Sequence, residues 1–173
     1  MREPPVASWV PLTKSELGVL VRVLLAKTTR ALVLVDGRSG AGKSTFAHRL
    51  AQVLDAAVVH TDDIAWQHSR FGWSDVLLDG VVTPWRRGAV VSLRPPGWGP
   101  SDRPGTVTVP PSPVLVVEGV GAGRAALASH ADLVVWVRSD GDEARRRGVA
   151  RDVTETHPDP SAPDPAPSVA ADV

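Results

Sequence analysis

Apolar residues at Leu17, Leu20, Val21, Leu24 and Leu25 recur three or four positions apart, the stripe of a helix packed on one side. Thr13 and Glu16 stand before it as T-x-x-E, a capping box for a helix starting near Lys14. Lys27 and Arg30 follow where cations favour a helix C-terminus. An apolar run from Leu32 to Val35 follows, within a strand expected at about 31–36, the pattern of a strand buried on both faces. Beyond a glycine-rich turn, Phe46, Leu50, Val53 and Leu54 share one helical face, and Ala47 and Ala51 allow close approach to a sheet. Residues 56–60 read as a second strand, which runs into Thr61-Asp62-Asp63.

Further along, Ser74 is placed to cap a helix carrying Val76, Leu77, Leu78, Val81 and Val82. Pro84 is expected to bend or end that helix, with Trp85-Arg86-Arg87-Gly88 closing it. Residues 89–93 and 106–109 read as strands around the loop 94–100, a hairpin-like excursion beside the main sheet. Strands at 114–117 and 132–137, a short helix at about 124–129 and an arginine-rich helix at 140–151 complete the pattern. Helices alternating with apolar strands predict an α/β fold on a mostly parallel sheet. No internal repeat is evident.

Between the first strand and the helix after it stands G-x-x-x-x-G-K-S, from Gly37 to Ser44, the phosphate-binding loop. Glycine at 37, 40 and 42 lets successive backbone N–H groups turn toward one anion. The next helix aims its positive end at the same place. Gly37, Arg38, Ser39, Gly40, Ala41, Gly42, Lys43, Ser44 and Thr45 are therefore the candidate phosphate cradle. Lys43 would reach the β- and γ-phosphates, and the Ser44 hydroxyl would ligate Mg²⁺. Ligands of open parallel sheets bind at the carboxyl ends of the strands, which places Asp62 and Asp63 near the phosphates.

Composition narrows the classes. The 173 residues suit one domain, and 43% hydrophobic with 22% charged residues is ordinary for a soluble globular protein. Formal net charge is zero, but residues 153–173 hold four acids and no Lys or Arg, leaving 19 basic against 15 acidic residues before them. That excess suits a polyphosphate and is too small and scattered to argue for nucleic acid. Without cysteine there are no disulfides or thiolate metal sites. No apolar run approaches a membrane span, and Arg2-Glu3-Pro4-Pro5 does not read as a signal peptide, so a cytoplasmic protein is expected. Five prolines among 157–167 mark 153–173 as a disordered tail after a domain at 1–152, whose acceptor-binding insertion spans about 64–112.

VDGRSGAGKST after the first strand, HTDD after the second, VVEG after the third and RRRGVARD in the last helix together resemble the uridine kinase-like branch of the P-loop nucleoside and small-molecule kinases. The RPPGW and VEGVGAGR segments look like a bacterial group of these proteins. The resemblance covers about 30–152. It implies a P-loop NTPase three-layer αβα sandwich, main-sheet strand order 2-3-1-4, ATP with Mg²⁺, and phosphoryl transfer to a hydroxyl. Asp62 matches the family's aspartate that orients the acceptor hydroxyl and takes its proton. Asp63 is its rival, as a ligand to Mg²⁺-bound water or as a helix cap. Glu118 stands where a Walker B acid would hold the metal. Arg147 and Arg151 resemble lid arginines, although a solvated arginine face is the plainer reading of that helix.

For the acceptor, a small molecule such as a nucleoside, Trp66, His68, Phe71, Trp73, Arg94 and Trp98 offer flat aromatic faces and a cation. Of the six tryptophans two or three are expected to serve packing alone, Trp136 first. Related kinases continue after the Arg-Asp pair with a lid helix, a last strand and a helix. Here TETHPDPSAPDPAP follows, so a curtailed lid and an absent fifth strand are expected. That leaves a second class open, a nucleotide-binding remnant or regulatory protein with little transfer. A GTPase is disfavoured because no N-K-x-D motif is present.

Overall fold

The computed structural model describes residues 13–26, 28–66, 72–100, 103–139 and 146. Helix α1, Lys14–Leu25, opens on the expected capping box: Thr13 Oγ1 accepts from the Glu16 N–H, and the Glu16 carboxylate accepts from the Thr13 N–H at 2.7 Å. Leu17, Val21 and Leu25 pack inward; the side chains of Leu20 and Leu24, and Lys27, lie outside the described residues. Arg30 does not serve the end of α1, which stops at Leu25. Its guanidinium instead donates to the Ser112 carbonyl at 3.1 Å.

Strand β1, Ala31–Gly37, is buried at every position. It lies between two parallel neighbours, and both of its faces are covered. Leu32 and Leu34 enter one core and Val33 and Val35 the other, as the two-residue period of a strand requires. Helix α2, Lys43–Leu54, packs on the Val33–Val35 face through Ala47 and Leu50. Strand β2, Ala56–His60, runs directly into α3, Thr61–Ala65.

Helix α4, Trp73–Leu77, passes into a single π turn at Leu78–Val82 and on into α5, Thr83–Arg86. Two expectations change here. Gly72 holds the cap position and Ser74 lies inside the helix. Pro84 neither ends nor breaks the rod, because the preceding turn is wide: the Thr83 N–H reaches back five residues to the Leu78 carbonyl. A proline ring would otherwise clash with the carbonyl four residues before it, and the π turn opens the ladder at that place. This rod covers the Leu32–Leu34 face with Leu77, Val81, Val82 and the fully buried Trp85.

The expected excursion is an antiparallel pair, β3 at Val91–Leu93 and β4 at Val107–Val109. The connection between them includes a 3₁₀ turn, Pro96–Trp98. Strand β5, Val114–Glu118, a short α6, Ala125–Ala128, and β6, Leu133–Val137, follow. The main sheet is parallel with order β2-β5-β1-β6, which is 2-3-1-4 when its own strands are counted along the chain. Helices on both faces make three layers.

Asp132 precedes β6 rather than opening it, and its carboxylate accepts from the Leu32 N–H at 2.7 Å and from Arg86 at 2.9 Å. Trp136 is not a packing residue: it is 55% exposed. Leu133, Val135 and Val137 turn toward the α1–α2 layer, and alternation sends Val134 and Trp136 to the opposite face, beyond the cover of α4 and α5. No helix among the described residues is long and apolar enough to cross a membrane.

Candidate functional site

The loop from β1 to α2 is built on backbone that side chains would obstruct. Gly37 has φ +149°, and a Cβ there would lie 2.2 Å from the Val137 carbonyl oxygen. Ala41 N–H closes a turn onto the Arg38 carbonyl at 3.1 Å. Gly42, with φ +91°, starts α2 without a side-chain cap. The helix therefore presents its first N–H groups to the concavity above β1. Lys43 is buried, and its ammonium donates to the Arg38 carbonyl at 2.9 Å.

Ser44 lies one residue further on, and its hydroxyl donates to Glu118 Oε1 at 3.0 Å. Sheet register explains the meeting. Glu118 stands beside Val35 on β1 and beside His60 on β2, so all three point to the α2 face. His60 Nδ1 reaches the same Oε1 at 2.5 Å, and His48 donates to the Ser44 carbonyl at 2.7 Å. The second oxygen, Glu118 Oε2, is buried without a hydrogen-bond partner among the described residues. The hydrogen bond that His60 donates to Glu118 raises the His60 pKa above the usual imidazole value, against the opposing effect of burial. For Glu118 burial is the largest influence and acts upward. The hydrogen bond and charge of His60, with Ser44 and Lys43, outweigh it and hold the carboxyl below its ordinary value.

This pair carries a pH signature in the nucleotide-free protein. A raised histidine stabilises fully below its unfolded value, about 6.5, and that contribution is lost as pH rises through the folded value. A lowered carboxylate stabilises fully above 4.5 and loses that contribution as pH falls through its folded value. The pair therefore contributes most between about pH 4.5 and 6.5. With His60 partly exposed, about 0.2–1 kcal/mol is expected. Urea midpoints measured across pH for the wild type and His60→Gln should converge above neutrality. A constant gap at every pH would contradict the pairing.

Asp62 is exposed on α3, and Asp63 is held from two directions. The Asp63 carboxylate pairs with Arg103 at 2.7 Å, and its carbonyl accepts from Trp98 Nε1 at 2.7 Å. The Arg103 guanidinium lies 4.1 Å from the Trp98 ring and 5.4 Å from that of Trp66. A one-turn helix has no stability of its own. Here the connection between β3 and β4 clamps it, while Thr61 and Ile64 anchor its buried side. Gly119, at φ +141°, passes so close that a Cβ would lie 1.9 Å from Thr61 Oγ1, which is why glycine follows Glu118.

The structure thus joins Lys43, Ser44 and Glu118 in one place and Asp63, Trp66 and Trp98 in another. Trp73 is buried elsewhere, under the Arg124 guanidinium at 4.1 Å. Arg94 braces the excursion through the Gly105 carbonyl at 3.4 Å. His68, Phe71, Arg147, Arg151 and the tail 153–173 lie outside the described residues.

Sequence reasoning passed over His60, Arg103, Arg124 and Asp36. Asp36 carried a readable signal, an acid closing an apolar strand. It is buried, with Oδ1 accepting from the N–H groups of Gly37 at 2.7 Å and Gly121 at 3.0 Å, and Oδ2 from Gly123 at 2.8 Å. Arg103 carried none, being 40 residues from its partner Asp63.

A strand-loop-helix cradle on a parallel sheet of order 2-3-1-4, with an acid from the adjacent strand on the loop serine, is the three-layer α/β arrangement of a P-loop NTPase fold. Two solved structures share it. One is a possible uridine kinase from Bacillus stearothermophilus, 19% identical, with a TM-score of 0.51, matching over 80% of this chain and 89% of that one. The other is a candidate fructose transport system kinase from a Silicibacter species, 22% identical, with a TM-score of 0.54, matching over 84% of each chain. No protein-family model and no curated protein matches the chain.

Proposed function

We propose that the protein is an ATP-dependent phosphotransferase of the uridine kinase-like kind, which moves the γ-phosphoryl group to a hydroxyl of a nucleoside or similar small molecule. The observation that carries this reading is the Ser44–Glu118 contact beside a buried Lys43, at the mouth of a phosphate loop. Mg²⁺ fits these residues: a hydroxyl and a carboxylate are hard oxygen donors, and Glu118 Oε2 is buried and unsatisfied among the described residues. The ion, when bound, would neutralise charge on the transferring phosphate. Backbone N–H groups of 38–45 would cradle the phosphates, and Lys43 would exchange the Arg38 carbonyl for phosphate oxygen.

In the transfer, the acceptor oxygen forms the new bond to the γ-phosphorus. The bond from that phosphorus to the β,γ-bridging oxygen breaks, and ADP leaves with the electron pair. Asp62 takes the hydroxyl proton; being exposed, it is better suited than Asp63, whose carboxylate is committed to Arg103. Nucleosides, sugars and vitamins screened for acceptor-stimulated ADP release should yield at least one substrate. Asp62→Asn should lower its turnover about 10²–10⁴-fold, the usual contribution of a positioned base. Mg-ATP binding with no product from any acceptor would sink the proposal.

A second reading, a nucleotide-holding protein with little transfer, is favoured by one contact. His60 Nδ1 sits on Glu118 Oε1, the oxygen that also meets Ser44, and competes there with a metal ion. Faster turnover in His60→Asn than in the wild type would support that reading.

A further inference from the structure

We propose that His60 is a third protein donor at the Ser44–Glu118 metal site, and that the site therefore takes a divalent first-row transition ion, such as Mn²⁺ or Co²⁺, in preference to Mg²⁺. This assignment rests on the nucleotide site proposed above. The observation behind it is a half-buried imidazole nitrogen placed on the same carboxylate oxygen as the loop serine.

The parallel β2–β5 pair brings the three groups together. His60 and Glu118 end their strands and stand opposite one another. Paired residues of neighbouring strands leave the sheet on the same face, here that of α2, whose second residue is Ser44. Glu118 Oε1 lies 3.0 Å from Ser44 Oγ and 2.5 Å from His60 Nδ1. Neighbouring ligands of an octahedral ion at about 2.1 Å stand about 3 Å apart. The serine–carboxylate spacing therefore already suits one ion, and the imidazole has only to retreat by about 0.5 Å. Glu118 is 4% exposed, and its Oε2 has no hydrogen-bond partner among the described residues, so the carboxylate brings unused ligand capacity to the site. The His60 side chain is 35% exposed, which lets an ion reach its nitrogen without disturbing the core.

Donor chemistry sets the preference. Mg²⁺ is bound through oxygen, whereas imidazole suits first-row transition ions, whose affinities rise from Mn²⁺ to Co²⁺. Toward Mg²⁺ the His60 ring is a competitor for Oε1; toward Mn²⁺ or Co²⁺ it is a ligand beside it. Among the described residues no three His, Cys, Asp or Glu side chains gather into a metal site. One imidazole, one carboxylate and one hydroxyl leave coordination positions for nucleotide phosphate and water. The ion is thus held together with the nucleotide and not stored without it. His48 is the alternative nitrogen, with its ring centroid 5.7 Å from that of His60. Its Nδ1 donates to the Ser44 carbonyl, which ties it to the first turn of α2 and makes it the control.

The test holds the full chain with a β,γ-methylene ATP analogue and Mg²⁺, Mn²⁺ or Co²⁺. Pulsed electron paramagnetic resonance of the Mn²⁺ complex reads a directly bound imidazole as nitrogen modulation. That signal should be present in the wild type and in His48→Gln and absent from His60→Asn. Calorimetry should give an analogue affinity at least tenfold higher with Co²⁺ than with Mg²⁺. The ratio should fall fivefold or more in His60→Asn and stay within twofold of the wild type in His48→Gln. The wild-type spectrum decides the matter even where a variant fails to fold. No nitrogen modulation in the wild type, its persistence in His60→Asn, its loss in His48→Gln, or a metal ratio unchanged by His60→Asn would each overturn the assignment. Turnover is read separately. Nitrogen-bound Mn²⁺ with no acceptor phosphorylated under any of the three ions removes the kinase reading and leaves the metal site standing. Phosphorylation supported by Mg²⁺ and Mn²⁺ alike, without nitrogen modulation, does the reverse.

Discussion

Lys43→Ala is expected to lower acceptor-dependent ADP release about 10²–10³-fold, the loss typical of one preorganised donor at a site of developing charge. Lys43 is only 8% exposed, so its ammonium acts where water screens little. Its contact with the Arg38 carbonyl, at 2.9 Å, is a resting position within the loop that phosphate oxygens would replace. Lys43→Arg should rescue poorly, because a planar fork does not substitute for a compact ammonium in a tight loop. The measurement is coupled-assay turnover beside thermal unfolding, which should change little. Turnover within threefold of wild type in Lys43→Ala would remove the loop from the chemistry.

Trp85→Ala should be the most damaging change to stability, at about 3–5 kcal/mol, against the ~5–15 kcal/mol that holds a typical domain folded. Trp85 is fully buried at the centre of the core between the α4–α5 rod and the sheet. Its Nε1–H donates to Ser112 Oγ at 3.1 Å, and that hydroxyl donates to the Val114 carbonyl at 2.9 Å. Truncation leaves a cavity and strips a buried hydroxyl of its donor. Trp85→Phe keeps most of the volume and should cost about 1–3 kcal/mol for the orphaned hydroxyl. Urea midpoints should fall in that order with little change in slope. Equal midpoints for the two variants would show that volume is not what this residue supplies.

The main sheet was legible because its strands are apolar runs and its order follows from the phosphate-loop resemblance. Register then carried Glu118 to Ser44 without further information. Local exceptions were less visible. Pro84 reads as a helix stop in any linear pattern, and only the wide turn before it reveals a continuous rod. Trp136 looked like core because tryptophan usually is, yet its face is decided by β6 being an edge strand. Arg103, Arg124 and His60 act through partners 40, 50 and 58 residues away, where no periodicity links them. The acceptor candidates suffered most. Trp98 and Trp73 are aromatic as a ligand platform would be, but each lies beneath an arginine and serves to hold it.

The strand order also governs when the phosphate loop can exist during folding. Both neighbours of β1 come later in the chain, at 114–118 and 133–137. The seven residues of β1, all buried in the finished sheet, keep both edges open until β5, Val114–Glu118, has been made, and one edge open until β6, Leu133–Val137. Loop closure over such spans costs only logarithmically more entropy, but long-range pairing is slow, and an unpaired apolar strand invites association meanwhile. The glycine-rich segment is therefore not a portable binding peptide. Gly37 acquires its shape from Val137 and from Asp36, whose carboxylate also gathers Gly121 and Gly123. The cradle's geometry therefore depends on strands that lie about 80 to 100 residues after its own in the chain.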